Sequence, residues 1–167
     1  VATGYAAAGL PLNQALISEV VLALGCIPLA AYGTPGTPEL SQALSPLVAR
    51  YDAILMANHG VVTYGNDLLT AYMRMETVEH FARISLAAHL LGRQQLLSRE
   101  AVEKLGQARA RYFGATGAPA AALSEVCPVT ADGRPLAAPG AASDRFWVSR
   151  EELEAMIDEA VKSAKVR

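Results

Sequence analysis

Five apolar residues in a row, Ala53 to Ala57, run into Asn58-His59-Gly60, and the apolar pair Val61-Val62 follows. Two short apolar runs around a glycine predict two buried strands with a turn or bulge between them. From about Asp67 to Leu91, the residues Leu68, Tyr72, Met75, Val78, Ala82, Ser85 and Leu86 recur at spacings of three and four. That period predicts a long helix with those residues inward and Arg74, Glu76, Glu79 and Arg83 on an outer or interfacial face. Gly65-Asn66 is expected to stop the second strand and cap this helix, and Gly92 to end it. Upstream, Leu16, Ile17, Val20, Val21 and Leu24 predict a short helix over 13–25. Cys26 to Tyr32 reads as a short strand, not fully paired because Pro28 lacks an N–H. Thr37 as cap, Pro38 at the first helical position and Glu39 in the first turn predict a helix to about Arg50. Ser98 with Glu100 predicts another to about Phe113. Val1 to Pro11 is small and apolar without a helix start signal, and is expected in a core or an interface.

Beyond Phe113 the pattern changes. Residues 114–145 are rich in Ala, Pro and Gly and carry few large apolar side chains, as an extended linker does. Residues 146–167 then read as a compact amphipathic helix. Ser149 and Glu152 form a capping box, Val148 and Leu153 a hydrophobic staple, and Leu153, Met156, Ile157, Ala160, Val161 and Ala164 one apolar stripe. The expected organisation is a domain over 1–113, a linker over 114–145 and a tethered helix over 146–167.

Composition narrows the class. The chain has 167 residues, 52% of them hydrophobic, enough for one domain with a sizeable core. A net charge of -2 gives no electrostatic case for nucleic acid or an anionic membrane. No apolar run has the length of a membrane span. The two cysteines, Cys26 and Cys127, form no metal-type pair and no disulfide framework, and a reducing cytoplasm is the expected compartment. Between Val1 and Asn58 only Glu19, Glu39, Arg50 and Asp52 are charged. A stretch so poor in charge is expected to be covered, partly by an absent N-terminal segment and partly by another subunit.

The candidate chemistry centres on His59. An imidazole at the end of a buried strand is held rigidly and can serve as a metal ligand or a general base; a hydrogen-bonded core histidine is the alternative. His80 and His89 lie on the long helix, nine positions and so about 180° apart, and cannot share one ligand sphere. A catalytic zinc site needs three protein ligands and an open position. The residues alone therefore offer one ligand, with no Ser-His-Asp order, phosphate loop or dinucleotide fingerprint beside it.

Three stretches, Ile27–Leu40 (IPLAAYGTPGTPEL), Ala53–Gly65 (AILMANHGVVTYG) and Ala71–Gly92 (AYMRMETVEHFARISLAAHLLG), stand in the order and spacing of the class II aldolase/adducin family. The chain resembles the C-terminal portion of that family's domain, followed by a C-terminal extension. The resemblance implies an α/β fold, a three-layer α/β/α domain around a mixed, largely antiparallel sheet, and a homotetramer with active sites at subunit contacts. It implies Zn2+ held by the histidine of the NHG turn, here His59, and by a His-x-His pair that would precede Val1, as would the acid/base carboxylate and the phosphate-binding loops. Where the aldolases use a tyrosine from across the contact, this chain aligns Ala15, with Tyr5 and Tyr32 as possible substitutes.

The implied activity is that of an aldehyde-lyase cleaving a ketose 1-phosphate, of the L-fuculose-1-phosphate type, to dihydroxyacetone phosphate and an aldehyde. The alternatives are a ketopentose-phosphate 4-epimerase of the same fold and a non-catalytic, adducin-like interaction protein. Partners would be a small sugar phosphate and further copies of the chain. Residues Asp144 to Arg167 carry 5 basic and 6 acidic side chains, a near balance that speaks against an electrostatic membrane anchor. The tethered helix is expected to dock on its own protein or on a neighbouring subunit. A sharper expectation is that it engages a microcompartment shell protein, since its layout is similar to that of helices which carry enzymes into such compartments.

Overall fold

The computed structural model describes residues 1–113. The linker over 114–145 and the helix over 146–167, with the shell-protein role attached to it, lie outside the described residues. The described elements run α1 (Ala2–Ala7), α2 (Ser18–Ala23), β1 (Leu29–Ala30), α3 (Pro38–Val48), β2 (Ala53–Met56), β3 (Gly60–Thr63), α4 (Leu68–Leu90) and α5 (Arg99–Phe113).

The sheet order is β1-β2-β3. β1 pairs with β2 in parallel, Leu29 opposite Leu55, and α3 forms the crossover between them. β2 pairs with β3 antiparallel, from Ala53 opposite Thr63 to Met56 opposite Gly60. The sheet is thus mixed, with one pairing of each kind among the described residues.

Alternation along β2 assigns its two faces. Ala53 and Leu55 pack with Ala2, Ala6, Val20, Val78, Phe81 and Ala82, which places α1, α2 and α4 on one side. Ile54 packs with Ala30 and Tyr51 against Leu44 and Leu47 of α3 on the other. The result is the expected three-layer α/β/α arrangement. Phe81, Ile27 and Leu55 are 2%, 0% and 0% exposed, and burial of each contributes about 1.5–3 kcal/mol. α5 closes the end of α2, where fully buried Val102 meets Ala15 and Val21.

The start signals of α3 and α5 behave as read. The Thr37 hydroxyl accepts from the Glu39 N–H at 3.3 Å, a cap that contributes about 1 kcal/mol to α3. Ser98 Oγ accepts from the Ala101 N–H at 3.2 Å at the head of α5. At the far end of α4, Gly92 has φ 74 and its N–H reaches the His89 carbonyl at 2.8 Å, a left-handed stop that glycine takes without a Cβ penalty.

Several expectations are corrected. Val1 to Pro11 contains a helix, α1, although no side chain caps it. The helix expected over 13–25 is only Ser18–Ala23: Ile17 is extended, with φ -126 and ψ 122, and Leu12 and Ile27 pair across the base as an isolated antiparallel bridge. The cap of α4 is Asp67, not Asn66; its carboxylate accepts from the Thr70 N–H at 2.7 Å. That bond holds the Asp67 carboxyl below its ordinary value. The inner face of α4 is Val78, Phe81, Ala82 and Ser85, whereas Leu68 and Tyr72 stand exposed. Arg74, read as outward, is paired with a buried carboxylate. Much of the charge-poor stretch before Asn58 is covered from within the chain: Ala2, Ala6, Leu12, Ala15, Val20, Val21 and Leu24 are all buried.

Candidate functional site

The turn that carries His59 is built from backbone bonds to three different elements. The Ala57 N–H extends the β1–β2 pairing onto the Ala30 carbonyl at 3.2 Å. The Asn58 N–H donates to the Ala6 carbonyl of α1 at 3.1 Å. The His59 N–H closes back onto the Met56 carbonyl of β2 at 3.0 Å. Met56 and Gly60 then face each other as the last pair of the hairpin. With each N–H committed, the turn has little freedom. It projects the His59 side chain into solvent, so the core-histidine alternative does not hold: His59 is exposed.

An exposed imidazole on a fixed backbone suits a metal ligand, because the ring is desolvated little before it binds and its position is already set. His59 fits zinc as one nitrogen donor. Among the described residues no group of three or more His, Cys, Asp or Glu side chains gathers to hold a metal ion. His80 lies instead in a groove between α2 and α4, lined also by Val20, Tyr72, Glu76 and Glu79, with a volume of about 890 Å³. Ala15, which takes the aligned place of the aldolase tyrosine, is buried, and its carbonyl accepts from the Leu97 N–H at 2.8 Å; it is a packing position. Tyr5 packs half-buried against the core, and Tyr32 is exposed.

One polar cluster carries no signal in the hydrophobic pattern. Asp52 is 4% exposed and precedes β2. Its Oδ2 receives Arg74 of α4 at 3.1 Å and Arg109 of α5 at 3.0 Å. Arg74 also donates to the Tyr64 carbonyl, and the Tyr64 hydroxyl lies against the carbonyls of Val48 and Tyr51. Burial, then the neighbouring Asp52 charge, pushes the Tyr64 hydroxyl above its ordinary value, with Arg74 opposing. The cluster sits at the open end of the β2–β3 hairpin and His59 at the closed end. Four strand residues separate them by ~13 Å, so the cluster braces the hairpin from the far side.

The Class II Aldolase and Adducin N-terminal domain matches residues 2–86, about half of the chain. The match falls on the N-terminal part of this chain, which corrects the C-terminal placement that the sequence likeness implies. A 3-oxo-tetronate 4-phosphate decarboxylase from Pectobacterium atrosepticum is 40% identical over 65 residues, covering 39% of this chain and 30% of the relative. An L-fuculose phosphate aldolase from Methanococcus maripaludis is 32% identical over 79 residues, covering 47% and 42%. The chain thus spans less than half the length of these curated relatives. The solved structure of an L-fuculose 1-phosphate aldolase superposes with a TM-score of 0.59 at 30% identity, over 64% of this chain and 50% of that one. The chain belongs to the class II aldolase and adducin family.

Proposed function

We propose that the chain forms part of a zinc-dependent lyase that breaks a carbon–carbon bond one carbon removed from a carbonyl group of a phosphorylated sugar derivative. The observation that carries this reading is the exposed His59 imidazole on a turn fixed from three sides, in a chain of this family. In aldol cleavage of a ketose 1-phosphate, the hydroxyl on the departing carbon loses its proton as the carbon–carbon bond breaks, and that carbon leaves as an aldehyde. The electrons of the broken bond pass to the carbon beside the carbonyl, and reprotonation there gives dihydroxyacetone phosphate. Bound zinc would supply Lewis-acid stabilisation of the negative charge that this step places on oxygen. His59 would offer one ring nitrogen to that cation.

A second reading is favoured by the 40% identity to the decarboxylase. Loss of carbon dioxide from a 3-oxo sugar-acid phosphate leaves the same kind of electron pair beside a carbonyl, so one site suits both. The test supplies the protein, incubated with zinc, with L-fuculose 1-phosphate and, separately, with 3-oxo-tetronate 4-phosphate and with a ketopentose 5-phosphate. Release of dihydroxyacetone phosphate, abolished by a chelator, is the expected result. Carbon dioxide release alone selects the second reading, and pentose-phosphate interconversion the epimerase. A protein that binds no zinc and turns over none of them is the adducin-like alternative, and overturns the proposal.

We also propose a homotetramer. Leu68, Leu69, Tyr72 and Met73, on the first turns of α4, are 86%, 68%, 54% and 54% exposed, an apolar surface that further copies of the chain would cover. Sedimentation of the intact protein at micromolar concentration is expected to show the tetramer; a monomer overturns it.

A further inference from the structure

We infer that Asn58 is a positioning residue for His59: its left-handed backbone, tied to the end of α1, sets the direction in which the imidazole leaves the hairpin. This rests on the reading of His59 as a zinc ligand. Asn58 has φ 55 and is the one non-glycine residue with positive φ among the described residues. That conformation brings Cβ against the following carbonyl oxygen. Asparagine tolerates it better than other side chains, and a β-branched residue hardly at all.

Two neighbours hold the conformation. The Asn58 N–H donates at 3.1 Å to the carbonyl of Ala6, in the last turn of α1, where helix carbonyls lack partners within the helix. Ala6 is fully buried in the cluster that includes Leu55 of β2, so the acceptor is itself fixed. After His59, Gly60 has φ 157, which L side chains rarely adopt. A Cβ there would stand 3.9 Å from Thr3 Oγ1, an ordinary contact, so it is the backbone conformation rather than lack of room that calls for glycine. His59 therefore sits between two residues of unusual φ. Returning Asn58 to an extended or right-handed conformation would swing the ring away from its present direction. Because the Asn58 side chain is exposed, the argument concerns its backbone.

The test measures zinc affinity by chelator competition, and the visible spectrum of the cobalt-loaded form, in the full-length protein and three variants. Asn58→Gly, which takes positive φ freely, is expected to bind like the parent. Asn58→Val is expected to bind about 10–100-fold more weakly, the range seen when a ligand-orienting group is lost, with a changed cobalt spectrum and unchanged circular dichroism. Asn58→Ala replaces it if the valine variant does not fold. A valine or alanine variant that binds like the parent overturns the inference, and so does a glycine variant that loses as much as valine. His59→Ala separates the two levels. If it keeps the metal, the reading of His59 fails; if it loses the metal while Asn58→Val keeps it, only the positioning role fails.

Discussion

His59→Ala is expected to lose bound zinc and, with it, catalytic turnover, while the protein stays folded. The loss of affinity should exceed the roughly 10–100-fold that follows from disturbing a group that merely orients a ligand, because the donor atom itself is gone. Stability should change by no more than ~0.5 kcal/mol, the usual range for a surface position away from caps and pairs. The side chain is exposed, and the turn is held by backbone bonds that alanine keeps. The comparison needs a chelator in both unfolding experiments, since a metal bound only by the native state stabilises the parent by mass action. Metal content by mass spectrometry, turnover, and thermal unfolding read the three effects separately. A variant that unfolds yet retains zinc would make His59 a structural residue.

What the sequence revealed of this site, and what it concealed, divides by range of interaction. The strand–turn–strand unit was legible because its signals are local: an apolar run, a glycine and a second apolar run within a dozen residues. The left-handed Asn58 was not, since asparagine is common in turns of every kind and only its bond to Ala6 selects this one. α1 escaped for a related reason. A six-residue helix without a side-chain cap is not stable alone, and it forms here because Ala2 and Ala6 pack into the core. In α4 the helical period was readable, and its phase held at Val78, Ala82 and Ser85, but the reach of the buried face was not readable. Anchoring the stripe at Leu68 put exposed residues inside and passed over Phe81, which lies three positions after Val78 on the buried face. The Asp52 cluster joins residues up to 57 positions apart, and nothing local marks any of them.

That cluster carries the largest expected effect on stability. In Asp52→Ala two guanidinium groups lose their shared counter-charge at once. Removing one partner of a buried ion pair costs about 3–5 kcal/mol, because the charge left behind is neither paired nor hydrated. Here the arginine side chains are 22% and 20% exposed and the Asp52 side chain 5%, so the stranded charges regain some water and a loss of about 3 kcal/mol is expected, the low end of that range. The figure is a cost of breaking the cluster, not a measure of what the pair contributes over apolar packing. Asp52→Asn keeps an acceptor of the same shape and should cost less, which separates charge from hydrogen bonding. Arg109→Ala should cost less still, because Asp52 retains Arg74, and its effect should fall on α5, which Arg109 fastens to the edge of β2. A double-mutant cycle between Asp52 and Arg109, read by urea unfolding, should then show non-additivity of about 0.5–3 kcal/mol. Added salt should leave most of it intact, since pairs this shielded are screened less than surface ones. An Asp52→Ala variant that unfolds within ~0.5 kcal/mol of the parent would place this position among ordinary surface sites and remove the cluster from the account of what holds the hairpin, and hence His59, in place.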